Sequence, residues 1–371
     1  MRYLTGIISI VSCFLISCVD EIDIPLSSEA ILTIEGSITD ETKNHKIQLS
    51  HSYSFNDNPT FAPIDPLVFG AQVEISDNEG NVTALFEGKN GAYYTPAAFA
   101  GEIGKIYTLR VTLKTGEVYF SKPERILPVG ATIEEVCFEN TVKQVSTAES
   151  TTEEKEVQFT AKFNDNGETN DYYRWGYTGV YEVEAPLADT SPPCDAETQA
   201  QPAGKCGPCN IPTKRCWASE FDNEFLKVES DELFNGKTVD NYVIYSTSAN
   251  RQFNFYYAAH IEMYSLTKAA FDYYDALSTQ LTNNGTVFET PNFQIRGNVY
   301  SEEDPEQLVL GYFSASAKTT TMLLVDGNEI PDVEFQSGPI NCSPNASGCI
   351  PATCIDCRSW PAINVKPSYW P

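Results

Sequence analysis

The sequence predicts a mainly β protein: an N-terminal immunoglobulin-like β-sandwich, then a second β-rich (α+β) domain with one long helix and a disulfide-stapled insertion. Short segments alternate apolar and polar residues and are separated by Asn, Gly and Asp, which is typical of antiparallel strands. A single stretch has the spacing of a long amphipathic helix. Eight of the eleven cysteines lie in two Pro/Gly-rich segments, which predicts the staples.

The first 24 residues are interpreted as an export signal and a tether. A basic start is followed by an apolar run over residues 3–17, which is shorter than the roughly 20 residues that span a bilayer. Leu15-Ile16-Ser17-Cys18 resembles the lipobox of bacterial lipoproteins. Residues 1–17 are therefore predicted to be a signal peptide, and Cys18 the acylated first residue of the mature chain. An ordinary secretory signal with a chance cysteine is the alternative.

The charge of the chain bears on its location and partners. Residues 18–24 form an acidic tether, similar to the tag that directs lipoproteins to the exterior of the outer membrane; a merely solvated tether is the alternative. Over the whole chain, 51 acidic and 24 basic residues give a net charge of −27. This charge argues against nucleic acid as a partner and against a basic grip on anionic lipid. We expect the membrane contact to be outer-membrane lipid reached through acylated Cys18.

The immunoglobulin-like domain is predicted over residues 25–128. Its strands recur at about 8–12-residue spacing without helical periods, as in a sandwich. Two segments rich in Asn, Gly and Asp, at 77–81 and 89–91, supply hairpin turns. The predicted strands are 30–38, 46–50, 71–76 and 107–113.

The second domain is predicted over residues 129–371. Strand-like patterns alternate with a Cys-rich insertion at 185–235, for which helical turns around 217–226 are expected. The predicted strands are 157–163, 172–183, 252–264, 293–300 and 308–317.

The long helix is predicted over residues 265–283. Its apolar side chains recur at intervals of three and four residues. Ser265 is the expected N-cap, and Asn284-Gly285 is the expected C-terminal stop.

Several motifs together resemble one family. They are Ser265-Leu266, Phe271–Tyr274, Gly297-Asn298-Val299-Tyr300 and Leu310-Gly311-Tyr312-Phe313-Ser314-Ala315, with supporting matches at 21–40, Cys216-Trp217 and 354–370. In combination they resemble the domain of unknown function 4249 family of Bacteroidota lipoproteins. The resemblance implies an outer-membrane lipoprotein whose gene often neighbours a TonB-dependent transporter. It implies no catalytic residue.

The cysteines leave three interpretations open. Cys206-Gly207-Pro208-Cys209 has the spacing of a thioredoxin motif, but no strand precedes it, so a redox centre is the least favoured. Zinc held by Cys206, Cys209, Cys354 and Cys357 is the second interpretation. Structural disulfides are preferred, with 105 arrangements open among eight cysteines. The disulfide candidates are Cys194, Cys206, Cys209, Cys216, Cys342, Cys349, Cys354 and Cys357. Cys137 is expected to be a buried lone thiol.

No catalytic motif is recognisable, so no catalytic residue, metal ligand or cofactor is predicted. His45 and His51 are expected to face solvent. His260 and Glu262 form a His-x-Glu pair that can ligate a metal but is commonly incidental. The acidic segment 301–306 fits a solvated turn better than a calcium loop.

The C-terminal aromatic residues Trp360, Tyr369 and Trp370 lie among prolines, so they are not part of a regular strand. They are expected either to pack on the second domain, which is the preferred interpretation, or to form an exposed docking edge.

Three functions are consistent with these features. The best supported is a surface-exposed accessory or ligand-binding partner of a TonB-dependent transporter in nutrient uptake. A surface hydrolase acting on glycan or peptide, through paired carboxylates or a metal, is the alternative. An adhesion protein is the third. Because no catalytic motif is present, enzymatic activity is less expected than binding.

Overall fold

The computed structural model describes residues 30–52, 66–146, 150–189, 213–220, 225–282, 294–330, 342–343 and 350–371. Over these residues the protein is mainly β, as predicted, with one long helix. The strands are β1 (Ile31–Thr39), β2 (Lys46–Ser52), β3 (Gln72–Asp77), β4 (Val82–Ala84), β5 (Phe86–Glu87), β6 (Ala92–Tyr94), β7 (Ile106–Thr112), β8 (Val118–Ser121), β9 (Glu124–Arg125), β10 (Ala131–Ser146), β11 (Thr151–Asp165), β12 (Tyr172–Glu184), β13 (Arg215–Glu220), β14 (Lys227–Ser230), β15 (Thr238–Ser248), β16 (Tyr256–Ser265), β17 (Val299–Ser301), β18 (Phe313–Ser316), β19 (Lys318–Asp326) and β20 (Ala362–Ile363). The α-helices are α1 (Lys268–Thr282) and α2 (Ala352–Ile355), and short 3₁₀ helices cover Asp231–Leu233, Arg251–Phe253, Gly327–Glu329 and Cys357–Ser359.

Two sheets form the N-terminal sandwich. Sheet 1 has the order β18-β1-β2-β6-β5, and sheet 2 has the order β17-β8-β7-β3-β4, with β9 beside β7. The alternation that predicts these strands also builds their core, because every second side chain points inward. Ile34 and Leu49 from sheet 1 and Leu109 and Val111 from sheet 2 are buried in one apolar cluster.

Two strands of this sandwich come from the C-terminal part of the chain. β18 pairs in parallel with β1, and β17 pairs antiparallel with β8. The sequence places both segments in the second domain, since periodicity does not reveal which sheet a strand joins. The chain therefore leaves the first sandwich near Leu127, builds most of the second, returns to the first with β17 and β18, and then completes the second with β19 and β20.

The second sandwich also consists of two sheets. Sheet 3 has the order β10-β11-β15, and sheet 4 has the order β19-β16-β12-β13-β20, with β14 beside β12. Their shared core is rich in aromatic residues, including the fully buried Phe159, Phe163, Trp175 and Tyr257. The Tyr- and Trp-rich alternation of β12 thus lies mainly in a core, where large rings bury the most apolar area.

Two local expectations were wrong. Residues 217–220 lie in strand β13, not in helical turns, because Trp217 and Ala218 pair with Tyr181 and Glu182 of β12. The segment expected as one strand from residue 252 begins with a 3₁₀ turn, since the Asn250 side chain accepts a hydrogen bond from the Gln252 amide.

The two sandwiches meet at a joint around Glu124 and the start of α1. The Glu124 carboxylate accepts hydrogen bonds from Tyr312 at 2.5 Å, Thr267 at 2.8 Å and Asn298 at 3.4 Å. Burial raises the pKa of Glu124, although these donors oppose the shift. The helix is capped by Thr267, whose hydroxyl accepts from the Ala270 amide.

The expected cap at Ser265 was wrong, because Ser265 ends strand β16 and is buried. Its hydroxyl donates to the Leu127 carbonyl and accepts from the Ala317 amide. The residue thereby ties together three chain segments at the joint.

Candidate functional site

A cavity of about 300 Å³ opens on the second sandwich between the end of β12 and the 3₁₀ turn that precedes β16. It is lined by Tyr181, Asn250, Arg251 and Gln252, and we call it the Tyr181 pocket. The volume is at the lower end of the range of small-molecule sites. Its lining combines one ring, two amides and one guanidinium, a set suited to binding a polar ligand.

A chain of hydrogen bonds supports the inner side of the pocket. The Tyr257 hydroxyl donates to Glu220 at 2.8 Å and lies 2.6 Å from the Tyr177 hydroxyl. Thr247 donates to the other Glu220 oxygen at 3.0 Å, and the Gln252 amide donates to Thr247 at 3.0 Å. A satisfied buried network of this kind fixes side-chain positions, so Gln252 is held in one orientation.

Close packing also fixes the aromatic lining. The rings of Tyr181 and Tyr257 are parallel, with centroids 6.5 Å apart. A β-carbon at Gly179 would lie 1.9 Å from the Tyr257 hydroxyl, so glycine is required where this ring crosses β12. Burial raises the pKa of Tyr181, with Glu220 adding to the shift and Arg251 opposing it. The Tyr181 phenol is therefore protonated at neutral pH and available as a hydrogen-bond donor.

Arg251 is the one cation among the described residues of this pocket lining, and its partner is aromatic. Its guanidinium lies 4.1 Å from the centroid of the Trp360 ring, within the range of a cation–π contact. In the described part of the chain, Arg174 and Arg251 are the two arginines whose guanidinium groups contact aromatic rings but no carboxylate. Arg174 packs against Tyr264, whereas Arg251 faces the cavity.

A second cavity, of about 270 Å³ on the N-terminal sandwich, has a different electrostatic character. Its ammonium group, on Lys105, lies 3.2 Å from Asp77, 3.1 Å from Glu79 and 2.8 Å from Glu102. These carboxylates raise the pKa of Lys105 and fully offset its charge. The Tyr181 pocket is therefore the stronger candidate for an external ligand.

The C-terminal segment reaches the pocket because disulfides hold it there. Cys216 of β13 is bonded to Cys357, and Cys342 is bonded to Cys354. Disulfides were the preferred interpretation of these cysteines. The zinc interpretation was wrong for Cys354 and Cys357, since each sulfur already has a different partner. Trp360 follows Cys357 by three residues, so the first bond positions its ring.

The protein matches the family model described as "Domain of unknown function (DUF4249)" over residues 19–322. The chain belongs to the DUF4249 family. No curated protein matches it. A similar solved structure is the crystal structure of a DUF4785 family protein from Legionella pneumophila, with 11% sequence identity and a TM-score of 0.17. The match covers 63% of this chain and spans about half, 51%, of that chain.

The remaining aromatic candidates of this DUF4249 protein lie on the outer face of sheet 4. Trp370 is 6% exposed, so it is not available for docking. It packs with Trp217 and donates to the Glu182 carboxylate at 3.2 Å. Tyr369 is 36% exposed, and its hydroxyl lies 3.0 Å from the His260 ring.

Glu262 of the His-x-Glu pair is engaged by two other side chains. It accepts from Lys318 at 2.7 Å and from Tyr264 at 2.6 Å. Burial alone would raise the pKa of Glu262, but these donors lower it. His45 is 2% exposed, so the expectation that it faces solvent was wrong; its Nδ1 accepts from the Thr39 amide. His51 is half-buried.

Three carboxylates meet at the start of β12. The ligand oxygens of Asp165, Asp171 and Asp231 all lie within 4.8 Å of one another. Asp165 accepts from Tyr173 and two backbone amides, and Asp231 accepts from the Asp171 amide. The cluster thus orders two connections, the one between β11 and β12 and the one between β14 and β15. Burial raises the pKa of Asp171, and the charges of its two neighbours add to the shift.

Cys137, the acidic segment after β17 and five further cysteines are the remaining residues singled out in the sequence. Cys137 is exposed on β10, so the expectation of a buried thiol was wrong. The thiol is exposed because β10 is an edge strand of sheet 3 and the alternation of side chains turns Cys137 outward. Ser301 ends strand β17 and is buried, whereas the acidic segment 302–306 forms an exposed turn in which Asp304 accepts from the Glu306 amide. Cys18, Cys194, Cys206, Cys209 and Cys349 lie outside the described residues.

Sequence reasoning missed the pocket itself. Asn250, Arg251 and Gln252 precede an aromatic run, but no spacing rule joins them to Tyr181, about 70 residues earlier. The sequence signal that remains is Gly179 within an otherwise aromatic strand, since a glycine in a strand often marks the close approach of another group.

Proposed function

We propose that the protein is a lipid-anchored, surface-exposed accessory protein of the outer membrane that binds a small polar ligand for a TonB-dependent transporter. The single observation that carries the binding role is the Tyr181 pocket, where a guanidinium without a carboxylate partner among the described residues and fixed hydrogen-bonding groups face an open cavity. Such groups recognise a ligand without needing to transfer protons.

The anchoring part of the proposal rests on the N-terminus. A short apolar run ends at Cys18 in a lipobox-like sequence, and acidic residues follow at once. Diacylglyceryl and N-acyl chains together exceed the two signals needed for stable attachment. Among the described residues, no helix combines the length and apolar character that crossing a bilayer requires. The acidic surface supports solubility outside the cell.

The test is affinity purification from detergent-solubilised native outer membranes through a C-terminal tag, followed by mass spectrometry. Recovery of one TonB-dependent barrel in near-equal amount would support the partnership. A Cys18→Ser variant is the matched control, and it should leave the membrane fraction and recover no barrel. Recovery of the anchored protein alone would refute the transporter partnership. Protease treatment of whole cells measures surface exposure independently.

A further inference from the structure

We propose that the Tyr181 pocket binds a carboxylate-bearing sugar, with Arg251 as the partner of the carboxylate. This inference deepens the proposed function and rests on it. Three observations carry it: the guanidinium has no described anionic partner, its position is fixed by an aromatic ring, and the other described lining residues are neutral and polar.

The first argument is that no described carboxylate pairs with Arg251. The chain has 51 acidic residues, yet no described carboxylate lies within 4 Å of Arg251. Other described arginines, such as Arg215 and Arg358, do pair with carboxylates, at 3.3 and 2.5 Å. The contact with the Trp360 ring uses no N–H group in a hydrogen bond to a described carboxylate, and the guanidinium N–H groups form the fork that binds a carboxylate through two parallel hydrogen bonds.

The neutral lining is the second argument, and it favours a sugar. The Asn250 side-chain oxygen accepts from the Gln252 backbone amide, which leaves its NH₂ group for a ligand hydroxyl. Tyr181 adds a phenol donor and an aromatic ring for C–H contacts. Closely spaced donors and acceptors around one ring match the hydroxyl groups of a pyranose. The volume of about 300 Å³ suits a short ligand segment.

The net charge of −27 opposes an anionic ligand at long range, but that repulsion does not dominate at the site. Exposed charges more than about 8 Å away are largely screened at physiological ionic strength. A guanidinium within about 4 Å of the ligand carboxylate acts inside that distance. We therefore expect modest affinity that depends strongly on Arg251.

The experiment measures binding of α-1,4-linked galacturonic acid oligomers to the mature, detergent-solubilised protein by calorimetry. The same oligomers with methyl-esterified carboxyl groups keep the sugar and remove the charge. Four proteins are compared: wild type, Arg251→Gln, Arg251→Lys and the control Arg110→Gln, which changes an arginine paired with Glu74 on the other sandwich. A thermal unfolding scan of each variant establishes that it is folded.

We expect wild type and Arg110→Gln to bind the acidic oligomers with a Kd at or below about 1 mM. Arg251→Gln should weaken binding at least about tenfold, and Arg251→Lys should give an intermediate loss because lysine keeps the charge but not the fork. The methyl ester should bind wild type as weakly as the acid binds Arg251→Gln.

Three results would overturn the inference: equal binding of acid and ester, no binding of either, or equal binding of a tetra-aspartate peptide. The first leaves a neutral ligand for the same pocket, so the proposed function survives it. Loss of the transporter partnership with retained, Arg251-dependent sugar binding would instead refute the proposed function alone.

Discussion

Breaking the Cys216–Cys357 disulfide is expected to destabilise the protein more than breaking Cys342–Cys354. The first bond joins residues 141 apart in sequence, and the second joins residues 12 apart. If a disulfide acts mainly by restricting the unfolded chain, its contribution grows with the logarithm of the loop length. This gives about 5 kcal/mol for the first bond and about 3 kcal/mol for the second. The first bond also fixes residues 358–371 against sheet 4.

The test compares the Cys216→Ser/Cys357→Ser variant with the matched control Cys342→Ser/Cys354→Ser in urea unfolding followed by circular dichroism. The first variant should lose about 2 kcal/mol more stability than the control. Limited proteolysis should cleave its C-terminal segment first, because that segment has lost its covalent attachment. Equal losses in the two variants would refute the loop-length reasoning. So would a C-terminal segment equally protected in both.

Three further outcomes follow from single contacts. Tyr312→Phe removes a short hydrogen bond to the buried Glu124 carboxylate and should lower the free energy of unfolding by about 2 kcal/mol. The control Tyr369→Phe, at an exposed contact, should change the free energy of unfolding by less than about 1 kcal/mol. Asp171 has a raised pKa in the folded state, so its ionisation costs stability as pH rises through that pKa. Asp171→Asn should therefore raise the melting temperature at pH 7 in EDTA, and this gain should disappear below about pH 4. The exposed control Asp272→Asn should show no such gain. A lower melting temperature of Asp171→Asn at pH 7 would contradict the reasoning. Trp370→Ala should cost about 3–5 kcal/mol in urea unfolding, since it empties a buried site on sheet 4, and a cost below about 1 kcal/mol would show that the ring is not packed there.

Local patterns predicted the elements well because they record burial directly. β1 alternates as expected, and its inward residues Leu32, Ile34 and Ile38 are buried. The helix appears where apolar spacing changes to three and four, and Ala270 is its buried residue. The cap was misplaced by two residues, since Ser265 and Thr267 are both good caps and only the tertiary contacts of Ser265 decide between them.

Non-local arrangement was not predictable in the same way. Nothing in the pattern of residues 313–316 indicates that they pair in parallel with β1, nearly 280 positions earlier in the chain. The same limit applies to the pocket, because Tyr181 and Arg251 come together through the pairing of β12 with β16. Charge counting did not reveal Arg251 either, since the sequence does not show which carboxylates lie near it; among the described residues, none does.

Four residues of the motifs that resemble the family have a structural role at the joint between the two sandwiches. A β-carbon at Gly297 would lie 1.5 Å from the Gly311 carbonyl oxygen. Gly311 has φ +90°, and a β-carbon there would lie 2.2 Å from the Ile34 carbonyl oxygen, so both positions require glycine. Asn298 and Tyr312 both donate to the carboxylate of the joint. These residues therefore hold the returning strands β17 and β18 in the first sandwich. None of these four residues lines the Tyr181 pocket, so they do not indicate what the pocket binds. The supporting match at 354–370 includes Trp360, whose ring contacts Arg251.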